Sequence, residues 1–102
     1  MSTNERIKDL LSKNKVHLFM KGDPSFPQCG FSNQVVQVLA NYDIPDFAST
    51  NILEDPELRQ GMKDYFDWPT FPQLVVAGEL VGGCDIIMEL HQSGELEEAL
   101  QG

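Results

Sequence analysis

The chain of 102 residues sets sixteen Asp and Glu against seven Lys and Arg, a formal net charge of −9, with 41% apolar and 23% charged side chains. That is one domain's length with an ordinary globular composition, enough to bury a core without disulfide staples and too short for an enzyme carrying its own nucleotide domain. The acidic balance argues against nucleic acid, which needs a basic face to neutralise phosphates, and against an anionic membrane surface. No run approaches the roughly 18 apolar residues of a membrane span, and the polar stretch Met1 to Leu10 is no signal peptide, so the expected setting is cytoplasmic.

Ile7, Leu10 and Leu11 have helical spacing and predict an amphipathic helix over 4–13. Val16 to Met20 is nearly all apolar, as in a strand buried on both faces. Residues 21–28 hold Gly22, Pro24 and Pro27 and read as a loop. Phe31, Val35, Val38 and Leu39 then mark the buried face of a helix from Cys29 to about Asn41, and 46–50 reads as a short strand.

Asp55-Pro56 is a helix start, with Asp as cap and Pro at the first helical position, followed by a buried face of Leu58, Met62, Tyr65 and Phe66. Pro69 and Pro72 stop any helix around Thr70-Phe71. Leu74 to Val76 and Leu80-Val81 form a hairpin about Ala77-Gly78-Glu79. A helix from Asp85 turns Ile86, Ile87 and Leu90 inward, Gly94 breaks it, and 95–101 closes the chain as a last helical segment. The order α-β-α-β-α-β-β-α predicts an α/β fold. It is a small mixed sheet with a parallel crossover in front, an antiparallel hairpin behind and helices on both faces.

All seven basic residues lie at or before Lys63, with none in 22–58 and none after 63. Bringing Lys21, Arg59 and Lys63 together makes one local anion site on a negative background; scattered solvated charges are the plainer alternative. Cys29 and Cys84 are far apart with no Cys-x-x-Cys. With His17 and His91 they number four zinc ligands, but their spacing fits no ordinary zinc pattern. His17, inside an apolar strand, is expected to be a satisfied core histidine, His91 a surface residue, and Trp68 packing.

Cys29 sits where a Gly/Pro loop meets a helix N-terminus, whose free N–H groups and dipole favour a thiolate, and Lys21 adds positive charge. A buried structural cysteine is the alternative, but Gln28 and Gly30 leave little bulk to cover the sulfur. In Cys29-Gly30-Phe31-Ser32, a serine stands where a dithiol oxidoreductase has its resolving cysteine. Ser32 can cap the helix or donate to the sulfur but cannot resolve a mixed disulfide. Cys29 therefore depends on an external thiol or a metal.

The run Lys21-Gly22-Asp23-Pro24-Ser25-Phe26-Pro27-Gln28-Cys29-Gly30-Phe31-Ser32, with Trp68-Pro69-Thr70-Phe71-Pro72-Gln73 and Gly82-Gly83-Cys84-Asp85, resembles the monothiol glutaredoxins of the Cys-Gly-Phe-Ser class. The resemblance implies a thioredoxin-like fold, a four-stranded mixed sheet, and one glutaredoxin domain over 1–102. It implies a bound glutathione and a labile [2Fe-2S] cluster, with Cys29 as cluster ligand and redox thiol. It assigns glutathione binding to Lys21, Arg59, the backbone of Phe71, Cys84 and Asp85.

Arg59 and Lys21 suit the glycine carboxylate of glutathione, and Lys63 is a peripheral helper. Phe71-Pro72 resembles the family's cis-proline turn, which leaves the Phe71 backbone free to clasp a peptide; an ordinary trans loop is the alternative. Gly82-Gly83 is expected to let the backbone approach the ligand. Amides at Cys84-Asp85 suit the γ-glutamyl carboxylate, with Asp85 pairing the amine or serving as a plain cap.

A [2Fe-2S] cluster takes four thiolates and one chain supplies one, so two chains and two glutathiones complete the set in a homodimer. A cluster half held by non-covalent ligands suits assembly, storage or transfer to apo iron–sulfur proteins. A BolA-type protein is expected to replace one subunit in a heterodimer. The alternative function is glutathione-dependent thiol–disulfide exchange, in which Cys29 attacks a glutathionylated protein thiol.

Overall fold

In the computed structural model, which describes residues 2–102, the Ser2 hydroxyl accepts the Glu5 N–H while the Glu5 carboxylate accepts the Ser2 N–H. This reciprocal cap opens α1 (Thr3–Lys13), which buries Ile7 and Leu11. The all-apolar run forms β1 (Val16–Met20), buried at every position. A two-stranded ribbon follows, β2 (Gly22–Asp23) and β3 (Phe26–Pro27), then α2 (Gly30–Leu39), β4 (Phe47–Asn51), a 3-10 turn over Ile52–Glu54 and α3 (Pro56–Phe66). The hairpin β5 (Gln73–Val76) and β6 (Glu79–Gly82) leads into α4 (Cys84–Ser93) and α5 (Leu96–Gln101).

The main sheet runs β4-β1-β5-β6, with β1 parallel to β4 and antiparallel to β5. β1 is central in the sheet with helices packed over both of its faces, which is why its sequence is nearly all apolar. Val16, Leu18 and Met20 pack with Val35, Val38 and Leu39 of α2, Ile87 of α4, and Leu96 and Leu100 of α5. Phe19, on the opposite face, packs with Ile7 and Leu11 of α1, Leu58 and Met62 of α3, and Ile52. The expected mixed four-stranded sheet with helices on both faces is the architecture observed.

Three readings are corrected. Residues 21–28 are not an irregular loop, because Asp23 Oδ1 accepts from the Ser25 N–H, the Ser25 hydroxyl and the Phe26 N–H. That turn is tight enough to leave two ladder pairs, Gly22 with Pro27 and Asp23 with Phe26. Phe31 does not join the buried face of α2, which is Ser32, Val35, Val38 and Leu39: it is 59% exposed. Tyr65 and Phe66 reach only the rim of the core, half-buried and packed edge to face with centroids 4.8 Å apart.

Candidate functional site

At the end of β1 the chain leaves the sheet at Lys21, runs around the ribbon and returns, the Gln28 N–H donating to the Lys21 C=O at 2.9 Å. Cys29 follows in extended backbone as the cap residue of α2. The Ser32 N–H, facing the sulfur across the first turn, pulls the Cys29 thiol below its ordinary pKa. Partial burial opposes the shift, and the Phe31 N–H, the Lys21 charge and the Ser32 hydroxyl add to it. Nothing stands within 4 Å of where a side chain at Gly30 would begin, so one flank of the cysteine is open. Ser32 is fully buried, and its Oγ accepts the Lys21 N–H at 3.2 Å.

Cys84 has the opposite character. It opens α4, is 9% exposed, and donates its thiol proton to Gln34 Oε1 at 3.2 Å. Burial, then the charges of Asp85 and Cys29, push its pKa up. Both thiols are free. One is drawn toward thiolate and the other held neutral.

A cleft of about 380 Å³ lies beside the Cys29 sulfur, lined by Lys21, Cys29, Phe31, Arg59, Lys63, Pro69, Thr70, Phe71, Cys84 and Asp85. Every residue that the sequence singled out for the site borders this one cleft, together with Lys63. Arg59 and Lys63 stand four apart on α3 and face the same way. That helix begins where the sequence placed it, Asp55 Oδ1 accepting the Leu58 N–H at 3.0 Å while the Asp55 carboxylate pairs with Arg6. Among the described residues the ion pairs are Arg6–Asp55 and Lys13–Asp9, so Lys21, Arg59 and Lys63 keep uncompensated charges, with Asp85 the one acid on the lining.

The Phe71–Pro72 bond is cis, and among the described residues the Phe71 N–H and C=O carry no hydrogen bond. Gln73, part of the Trp68-to-Gln73 block but given no role by the sequence, is fully buried. Its Nε2 donates to the carbonyls of Trp68 at 3.0 Å and Thr70 at 3.2 Å, which anchors the segment bearing Phe71. The signal for it is a glutamine near the start of the otherwise apolar run Pro72-Gln73-Leu74-Val75-Val76.

At Gly82 and Gly83 the chain's own packing leaves little room for a side chain. A Cβ at Gly82 meets Ile86 at 2.8 Å, and one at Gly83 meets the Pro72 carbonyl at 3.2 Å and Trp68 Nε1 at 3.3 Å. Trp68 is accordingly half-buried packing.

The histidines lie elsewhere. His17 is buried, its Nε2 2.7 Å from Thr50 Oγ1 and its ring stacked on Phe19 at 4.2 Å. His91 is half-buried rather than on the surface, with Nδ1 2.6 Å from the Tyr42 hydroxyl. The four zinc-type side chains do not converge. No three His, Cys, Asp or Glu among the described residues are grouped to hold a metal ion.

A family model described as Glutaredoxin matches residues 16–81, the span that contains Cys29, the three cleft cations and the cis-proline turn. The chain belongs to the glutaredoxin family. It is 54% identical over 99 residues to the "Uncharacterized monothiol glutaredoxin ycf64-like" of Synechocystis, covering 97% of this chain and 92% of that one. It is 50% identical over 97 residues to "Glutaredoxin-related protein 5, mitochondrial" of zebrafish, covering 95% of this chain but only 63% of that longer protein.

The solution structure of reduced poplar apo GrxS14 superposes with a TM-score of 0.83 at 52% identity, over 96% of this chain and 89% of that one. With Ser32 in place of a second cysteine, this is a monothiol glutaredoxin of thioredoxin-like fold. Among the described residues no helix of this glutaredoxin is long and apolar enough to cross a membrane.

Proposed function

We propose that this monothiol glutaredoxin binds glutathione in the cleft and uses Cys29 to carry a labile [2Fe-2S] cluster for assembly, storage or transfer to apo-proteins. We propose further that residues 1–102 act as one glutaredoxin domain in the cytoplasm, a compartment reducing enough for two free thiols. The observation that carries this reading is the pairing of one thiol drawn toward thiolate with a cleft whose three cations are uncompensated.

Glutathione is a small acidic peptide with two carboxylates, an amine and a thiol. Lys21 and Arg59 take its glycine carboxylate, Arg by its planar fork and Lys as a point charge, with Lys63 reinforcing the field. The unpaired N–H and C=O of Phe71 clasp its backbone as an added strand would. The amides opening α4 at Cys84 and Asp85 receive the γ-glutamyl carboxylate, and the Asp85 carboxylate pairs the amine. That orientation sets the ligand's own thiol beside Cys29.

The donor set fits the cluster. Four thiolates are needed, Cys84 is occupied as a donor to Gln34, and Cys29 is the single thiolate a chain offers. Two Cys29 and two glutathione thiolates complete the set in a homodimer, and a BolA-type protein takes the place of one subunit in a heterodimer. When bound, the cluster is cargo, held by two covalent anchors and two exchangeable ones, which suits release to an apo-protein.

A second reading rests on the same thiolate. Cys29 attacks the glutathione sulfur of a mixed disulfide, the protein thiolate leaves and takes a proton, and a second glutathione thiolate resolves the Cys29–glutathione bond, releasing oxidised glutathione.

One preparation separates them. Anaerobic reconstitution with iron, sulfide and glutathione yields a visible chromophore and a dimer mass that require both Cys29 and glutathione. A colourless protein that briskly reduces a mixed glutathione disulfide moves the assignment to the oxidoreductase, and Cys29→Ser abolishes either activity.

A further inference from the structure

Asn51 is the last residue of β4, set beside Met20 by the parallel register, one step from where β1 ends and Lys21 leaves the sheet. Its Oδ1 accepts two backbone N–H groups, that of the remote Gly22 at 2.9 Å and that of Leu53, two residues on, at 3.0 Å, while Nδ2 donates to Glu54 at 3.4 Å. One oxygen thus ties the segment bearing Lys21 to the 3-10 turn that leads through Asp55 into α3, the helix bearing Arg59. Lys21 is held on its other side too, its N–H on Ser32 Oγ and its C=O accepting from Gln28. Neither cation has an ion-pair partner among the described residues, so no acidic side chain draws either head aside and backbone placement sets the region each charge can reach.

We propose that Asn51 is a positioning residue for the anion: by gripping both segments with a single acceptor, it sets the separation of Lys21 and Arg59 to the span of the peptide they share. This rests on the glutathione reading above. Removing the acceptor leaves two amides without their partner and lets the two segments drift apart.

The test is glutathione affinity by calorimetry on the full chain for wild type, Asn51→Ala and Asn51→Asp. The alanine change is repeated in a Lys21→Ala background, with amide hydrogen exchange followed at Gly22 and Leu53. Asn51→Ala weakens binding by about tenfold and unprotects both amides, while Asn51→Asp, which keeps an acceptor oxygen at the same reach, regains most of the affinity. In the Lys21→Ala background the loss shrinks to about threefold or less, because the group being positioned is already gone.

Unchanged affinity in Asn51→Ala, or an equal fold-loss in both backgrounds, overturns the inference. Should Asn51→Ala not fold, Asn51→Ser, whose shorter side chain withdraws the acceptor, carries the same comparison. Wild-type protein that binds no glutathione overturns the proposed function and Asn51's role with it, whereas a binding wild type with an indifferent Asn51 overturns this inference alone.

Discussion

The Lys21 N–H donates to Ser32 Oγ at 3.2 Å, so the strand end that presents a cation is bonded to the helix turn that surrounds the Cys29 sulfur. Ser32 therefore does more than stand in for a missing cysteine. Its amide is the largest single cause of the lowered Cys29 pKa, and its hydroxyl is a smaller one. Ser32→Ala keeps the amide and loses the hydroxyl, so the Cys29 pKa moves part of the way back up. The pH profile of alkylation by iodoacetamide shifts to higher pH accordingly. Ser32→Cys installs a resolving thiol one turn along the helix and raises disulfide reduction that needs no glutathione.

The depressed Cys29 pKa has a consequence for stability. Between the folded pKa and the higher unfolded one, the folded chain carries a thiolate and the unfolded chain a thiol, so the unfolded state binds more protons. Stability of the wild type relative to Cys29→Ser therefore rises with pH across that window. It is fully present above the ordinary thiol pKa and lost as pH falls through the folded one. Urea midpoints of the two proteins at several pH values check the sign.

Lys21 and Arg59 supply charge that no acidic neighbour neutralises. Lys21→Ala and Arg59→Gln each weaken glutathione binding by about tenfold, the size expected for losing one charge-assisted contact. Each also flattens the fall of affinity with added salt, since fewer charges remain to be screened. Calorimetry at low and high ionic strength measures both effects.

Gly22 has a φ of +90°, and a Cβ there meets the Phe26 carbonyl at 2.5 Å and the Gln28 N–H nitrogen at 2.7 Å. These are backbone atoms of the ribbon that delivers Cys29 and cannot give way as a side chain can. Gly22→Ala lowers stability by about 2 kcal/mol. It also slows Cys29 alkylation near neutral pH, because the ribbon that seats the thiol beside Lys21 is displaced. Denaturant unfolding and an alkylation time course on the same preparation check the pair of effects.

Patterns of period and punctuation made most elements legible. The all-apolar Val16 to Met20, the cap-and-proline pair Asp55-Pro56 and the glycine at 94 act within a few residues of themselves, so their local chemistry is enough to place β1, the start of α3 and the end of α4. The ribbon was missed because its two pairs depend on three bonds to one aspartate oxygen, which composition does not register. Phe31 departs from the expectation because helical periodicity says which residues share a face and not what that face meets, which at Phe31 is the open cleft beside Cys29.

The amino-acid order alone determined that one cysteine would head a helix without a resolving partner, that the cations would be few and confined to the first two thirds, and that apolar strands would alternate with amphipathic helices. Only the folded chain decided that Lys21, Arg59, Phe71 and Cys84 meet around Cys29, and that one thiol is drawn toward thiolate while the other stays neutral. It also decided that an asparagine at a strand end, while capping the turn that follows it, reaches the remote amide of Gly22. Those outcomes depend on sheet register and on which groups shed water together, quantities that arise between segments distant in the chain and are written in neither of them separately.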